Sequence, residues 1–252
     1  MKYFVKEDSI VREIWGKADT VLFIFAASAA EFALNKAVDW LYFTGKLPAD
    51  PLGRLFSTVT YAQRIIYATN ADAYTAIDQI TAIHKQVEAA RNTQIPDWAY
   101  RDVLFMLIDY SIRAYELLEC KLTLAEKEEV FYVFYKIGLR MGIEGLPTTY
   151  CTWKIIRHIH LKQDLQYSPF TIDLFKQYRK HLGRLRYTLL KFVQVLMAPP
   201  RVTELLLLKR GWLLPPLLYL YKLGKGTKVR ARLRGALLPV KYNAEIRRLD
   251  II

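Results

Sequence analysis

The chain has 252 residues, a hydrophobic content of 53%, a net charge of +13 and only two cysteines. Such a length and composition allow one large domain with a sizeable buried core. Cys120 and Cys151 form no paired CxxC spacing, which argues against a disulfide framework or a thiolate-bound zinc or iron–sulfur centre and agrees with a reducing cytoplasm.

From the start, MKYFVKEDSIVREIWG is charged throughout, so it does not read as a signal peptide. The apolar run from Val21 to Ala30 stops at Glu31, short of the roughly 20 residues that a membrane span needs, and reads as a buried helix. Asp50-Pro51 supplies an N-cap carboxylate and a proline at the first helical position, predicting a helix over about 51–68. Within it, PLGRLFSTVTY puts Arg54 and Thr58 one turn apart on one face, with Tyr61 almost two turns from Arg54. An arginine beside a hydroxyl can hold an anion or a polarised oxygen; the plainer reading is a solvated or salt-bridged arginine and a threonine bonded to its own backbone.

Asn70 can cap the next helix, whose stripe of Ala73, Ile77, Ile80, His84 and Val87 fades before Ile95-Pro96. A third helix, 98–118, is apolar around much of its circumference and is expected to be the central one. Thr123 and Glu126 form a capping-box pattern ahead of a fourth helix that Gly142, Gly145 and Pro147 end. Thr148–Asp164, Thr171–Leu182 and Leu185–Leu196 read as further helices, and Pro199-Pro200 closes the compact part. Convincing strand patterns and hairpin turns are nearly absent, so the class is all-α. The expected division is a helical domain over 1–200 and an extension over 201–252.

The extension is apolar, then basic. GWLLPPLLYLY at 211–221 is broken by Pro215 and Pro216, and nine Lys or Arg residues between Lys222 and Arg248 face one acid, Glu245. An apolar strip beside a basic one suits an anionic membrane surface; a solvated extension is the plainer reading. Nucleic acid is disfavoured because no recognised binding module accompanies the charge.

Four histidines are present. His158 and His160 sit in a helical context, where residues two apart point about 200° around the axis from each other, so they do not share an ion. His181, in YRKHLGRLR, reads as a surface residue. His84 differs: its helix-face neighbours are branched aliphatics, so two ring nitrogens must be satisfied in apolar surroundings. Either a core hydrogen bond or an iron ligand answers that requirement.

The ordered set SIVREIWG (9–16), ADPLGRLFST (49–58), AIH (82–84), LIDYSIRAYELL (107–118) and GLPTTYCTW (145–153) resembles the MpaB and latex-clearing-protein oxygenase family over roughly residues 9–220. The resemblance implies a globin-like helical domain that binds heme b and cleaves isoprenoid carbon–carbon double bonds with dioxygen. His84 is then the proximal iron ligand, and Arg54 and Thr58 stabilise iron-bound oxygen or anchor an apolar, isoprenoid-like or aromatic substrate. The chain departs from the family at four places: Ser57 replaces a lysine, Thr81 and Glu88 replace arginines flanking the ligand, and Leu104 replaces a histidine. These bear on polymer cleavage and oxygen handling. Two other classes compete: a noncatalytic heme or lipid-binding helical protein, and a membrane-surface module driven by the basic segment.

Overall fold

The computed structural model describes residues 2–45, 49–209, 211, 214–224, 239 and 242–251. All regular structure among them is helical, as the periodicity predicts. In order come α1 (Ile10–Gly16), α2 (Ala18–Phe32), a short 3-10 turn (Lys36–Val38), α3 (Asp39–Phe43), α4 (Pro51–Ile66), α5 (Asn70–Arg91), α6 (Asp97–Leu118) and α7 (Leu124–Met141). They continue with α8 (Tyr150–Gln163), α9 (Pro169–Met197), α10 (Pro200–Leu205), α11 (Leu214–Leu223) and α12 (Asn243–Leu249). Residues 225–238, which hold much of the basic stretch, lie outside the described residues.

Helix boundaries follow local chemistry. Asp50 caps α4 by accepting from the Gly53 amide at 3.2 Å. The Thr123–Glu126 capping box is formed in full at α7, and Gly142 ends that helix in the left-handed region. At α5 the cap is Thr69, one residue before the expected Asn70, because the Thr69 hydroxyl accepts from the Asp72 amide at 3.3 Å. The two helices expected on either side of residues 183–184 are both present and together make up α9; they meet at Gly183, whose φ 73° and ψ 173° are non-helical. That conformation is essentially reserved for glycine.

Helix α6 is the central helix. Its run from Leu104 to Met106 and from Ile108 to Ile112 is buried on every side, with α2 packed most extensively against it and α7, α8 and α9 around the rest. Trp15 of α1 is buried against Phe25 and Phe134, and its indole N–H donates to Ser111 Oγ at 3.2 Å. Beyond residue 200, Tyr221 of α11 stacks on Phe23, and Tyr242 stacks on Phe56. Asp250 accepts from the Ala18 amide at 2.9 Å, closing the N-terminus of α2.

A cluster of charge crosses this core. Arg157 of α8 donates to Glu31 of α2 at 2.6 Å through Nη2 and reaches Asp109 of α6 at 3.2 Å and Asp102 of α6 at 3.5 Å. Asn35 donates to Asp102 as well, Tyr110 donates to Glu31 at 3.0 Å, and Arg113 braces Asp109 from the rim at 2.6 Å. Three carboxylates thus meet two guanidiniums. Burial, reinforced by the charge on Glu31, pushes the Asp102 carboxyl up to about 8, so near neutral pH it holds a proton that balances the cluster.

Unfolded Asp102 ionises near its ordinary value of 3.8, whereas the folded chain keeps the proton to about 8. Between those values the unfolded state binds fewer protons, so stability falls as pH rises through the window and levels off above it. Asp102→Asn should flatten that slope in denaturant midpoints measured from pH 4 to 9. Arg157→Met, by stranding buried carboxylates, should cost about 3–5 kcal/mol in the same assay.

Candidate functional site

A cavity of about 890 Å³ opens beside α6 and is walled by α2, α4, α5, α6, α7, α9 and α11. Its size suits a cofactor or a small organic ligand. Most of the wall is apolar: Phe25, Ala29 and Phe32 from α2, Ile137 and Met141 from α7, Leu182, Leu189 and Val193 from α9, and Leu218 and Tyr221 from α11. Among the described residues no Asp or Glu lines it. Its ionisable cations and imidazole are Arg54, Arg186 and His84.

The structure brings Arg54, Thr58 and His84 to this one cavity, along with Tyr61 and Tyr100. Arg54 and Thr58 are there because α4 presents a four-residue spacing to the opening between α5 and α9. The Arg54 guanidinium donates to Ser57 Oγ at 3.2 Å, and no carboxylate pairs with it among the described residues. Burial lowers its pKa, yet a guanidinium stays charged in any case. Thr58 donates to the Arg54 carbonyl at 3.1 Å and Ser57 to the same oxygen at 2.8 Å. Each hydroxyl has thus committed its proton to the helix and keeps only acceptor capacity.

Helix α5 is buried at Ala73, Ala76 and Ile77 and then emerges beside the cavity, so its stripe divides into a packed half and a half that faces space. His84 lies in the second half. Its Nδ1 is buried without a hydrogen-bond partner. Burial first, and then the positive charge of Arg54, lower its pKa to about 4, with Glu88 pulling the other way. The imidazole is therefore neutral with a lone pair available, the state that a metal ligand requires. Tyr100 sets its edge against the His84 ring at 5.2 Å between centroids. The Tyr100 hydroxyl donates to Glu88 at 3.1 Å, and Glu88 also accepts the Ile95 amide at 2.9 Å. Glu88 thus holds the loop after α5 and the tyrosine beside His84.

Other histidines and substituted positions fall into place. His160 is buried with Nδ1 against Asp164 at 2.5 Å, whereas His158 of the same helix is exposed, which keeps them apart as the helical geometry predicts. Thr81 turns its hydroxyl onto the Ile77 carbonyl at 3.0 Å. Leu104 lines the cavity and lies against Gly138, where a Cβ would stand 2.8 Å from its Cδ2. Among the described residues no group of three or more His, Cys, Asp or Glu side chains could hold a metal ion, and no helix is long and apolar enough to cross a membrane.

Sequence reasoning missed Tyr100, Tyr178, Arg186 and Asn35 as cavity residues. Leu182, Leu185, Leu189, Phe192 and Leu196 recur every three or four residues in α9, a stripe that could have flagged this helix as a wall. A buried charge cluster gives no comparable signal.

A neutral histidine and an arginine without a carboxylate partner among the described residues thus share one largely apolar chamber of helices. The family described as "ER-bound oxygenase mpaB/B'/Rubber oxygenase, catalytic domain" matches residues 14–221, and the chain belongs to it. Neither a curated protein nor a solved structure gives a match.

His84 should stay uncharged in the folded protein down to about pH 4. The unfolded chain takes that proton first, near the ordinary 6.5, so this residue's contribution to stability is complete above that value and is lost as pH falls toward 4. Titration of the imidazole carbon-bound protons by NMR checks the midpoint. Arg54→Gln should raise it part of the way, since burial remains.

Proposed function

We propose that this chain is a heme b-dependent oxygenase that acts on an apolar isoprenoid-like or aromatic small molecule, with His84 as the iron ligand. The observation that carries the reading is the neutral imidazole of His84, with a buried nitrogen lacking a partner, beside an otherwise apolar cavity. Family membership supports oxygenase chemistry. The residues present fit heme: one neutral nitrogen ligand, apolar walls for a flat macrocycle, and cationic Arg54 and Arg186 for its carboxylates.

When bound, heme supplies the redox chemistry and dioxygen the oxidant, while the chain supplies position and environment. His84 would hold the iron, and Tyr100, anchored by Glu88, packs edge to face against the imidazole. Arg54 offers a fixed positive charge where a carboxylate or an electron-rich oxygen would settle. Thr58, its proton given to the Arg54 carbonyl, contributes an acceptor. Leu55, Leu107 and Leu104 exclude water and favour a hydrocarbon substrate, to which oxidative cleavage of a carbon–carbon double bond is the family's chemistry.

A second reading, a noncatalytic heme or lipid carrier, draws on Leu104 and Ser57. They place a hydrocarbon and a short hydroxyl where family relatives carry histidine and lysine.

Purified protein should show a Soret band that His84→Ala abolishes or makes easily washed out, and an unchanged spectrum and heme content in that variant would defeat the assignment. Ser57 does not line the cavity and carries no nitrogen that could act as an amine ligand, so ferric protein should bind added cyanide or imidazole readily. A resting spectrum with two nitrogen ligands and no response to either would contradict an open distal side. Oxygen consumption with a prenyl substrate separates the oxygenase from the carrier.

A further inference from the structure

The cavity's opening carries a pattern that the catalytic reading does not use. Of the residues that line it, three are exposed, and all three are branched aliphatics: Ile83 at 42%, Val103 at 39% and Leu185 at 74%. Water-facing apolar side chains on the rim of a cavity cost free energy unless something covers them. Leu185 stands two residues after the Gly183 kink, which adds no side chain and breaks the helical direction there.

On the α9 side of this rim the charge is of one sign. Between Asp173 and Glu204 the sequence contains no acid. Along this stretch Lys176, Arg179, Lys180 and Arg184 are all exposed, and none pairs with a carboxylate among the described residues. Asp173 itself is engaged by Tyr42 at 2.9 Å. An uncovered aliphatic lip flanked by such cations is the pattern of a surface that rests in the headgroup layer of an anionic bilayer.

We propose that the kinked segment of α9 is a membrane-docking lip: Leu185, with Ile83 and Val103, enters the acyl boundary of an anionic bilayer while Lys180 and Arg184 bind its headgroups, so that the cavity mouth opens toward the lipid phase. Charge complementarity selects the partner. A protein partner would also cover the aliphatics, but a headgroup layer needs only cations and a hydrocarbon wedge, which is what this segment presents. An apolar ligand dissolved in the bilayer then reaches the cavity without crossing water. The proposal is independent of what fills the cavity, and it places docking on α9 instead of on the basic stretch at 225–238.

The test is sedimentation of the full chain with vesicles of equimolar phosphatidylcholine and phosphatidylserine, against pure phosphatidylcholine. Wild type should bind the anionic vesicles, weaken as salt rises, and bind the neutral ones poorly. Lys180→Glu with Arg184→Glu should weaken anionic binding about tenfold or more. A chain with Lys225, Lys228, Arg230, Arg232 and Arg234 changed to Gln should keep most of it. Leu185→Trp gives a readout that survives any change in affinity: its added emission should shift to the blue on anionic vesicles. Unweakened binding by the charge-reversed variant with unchanged melting, loss of binding confined to the 225–234 variant, or Leu185→Trp emission that does not respond to vesicles would each overturn the proposal.

Discussion

Arg157 is the Lys or Arg that the helices bury completely among the described residues, and its guanidinium meets carboxylates from both α2 and α6. A charge in that position is tolerable only while its partners stay in hydrogen-bonding reach, so the cluster dictates how α2, α6 and α8 sit against one another. The walls of the cavity inherit that arrangement. Glu31 precedes Phe32, and Asp102 precedes Val103 and Leu104, all three of which line the chamber. Asn35 both donates to Asp102 and borders the cavity. Apolar packing alone would hold these helices together, but it tolerates sliding. Directional ion pairs resist it, and a chamber between helices keeps its shape only if they do not slide.

The balance of charge on the functional side has the opposite sign. In the core cluster carboxylates outnumber cations and a proton makes up the difference; in the cavity Arg54 stands with no carboxylate opposite. Among the described residues it gives its side-chain hydrogen bond to Ser57. It depresses the basicity of His84, and a bound anion would relieve both the arginine's isolation and that depression. The site is thus electrostatically incomplete until a negatively charged group enters. Glu88, one turn after His84, does not supply it, because its carboxylate is turned to the Ile95 amide and the Tyr100 hydroxyl.

Much of this was legible from residue patterns. Caps at Asp50 and Thr123, the turn-forming Gly142 and the apolar circumference of 98–118 act locally, so periodicity and capping chemistry located α4, α7 and α6. The break at residues 183–184 was visible as well, and the non-helical backbone of Gly183 marks it. His84 stood out as an imidazole among aliphatics, and Arg54 and Thr58 as a polar pair at one-turn spacing, and all three border the same chamber. What could not be read is long-range. Glu31, Asp102, Asp109 and Arg157 are scattered over more than a hundred positions, and nothing near any one of them announces the others. Tyr100 and Arg186 are ordinary residues in their own helices and become cavity residues only through packing.

Helix α2 lies against the whole length of the core, yet its first amides are capped from far away. Lys17, at its N-cap, offers no side-chain acceptor, and the bond to the Ala18 amide comes from Asp250. Gln63 fastens the same region by donating to the carbonyls of Trp15 at 2.9 Å and Leu249 at 3.1 Å. A ribosome delivers residue 18 long before residue 250. During synthesis α2 therefore has only Asp19 in its first turn to face its dipole, and the acceptor for its first amide is missing until residue 250 has emerged. A nascent chain stalled before residue 250 lacks the acceptor that closes the start of α2.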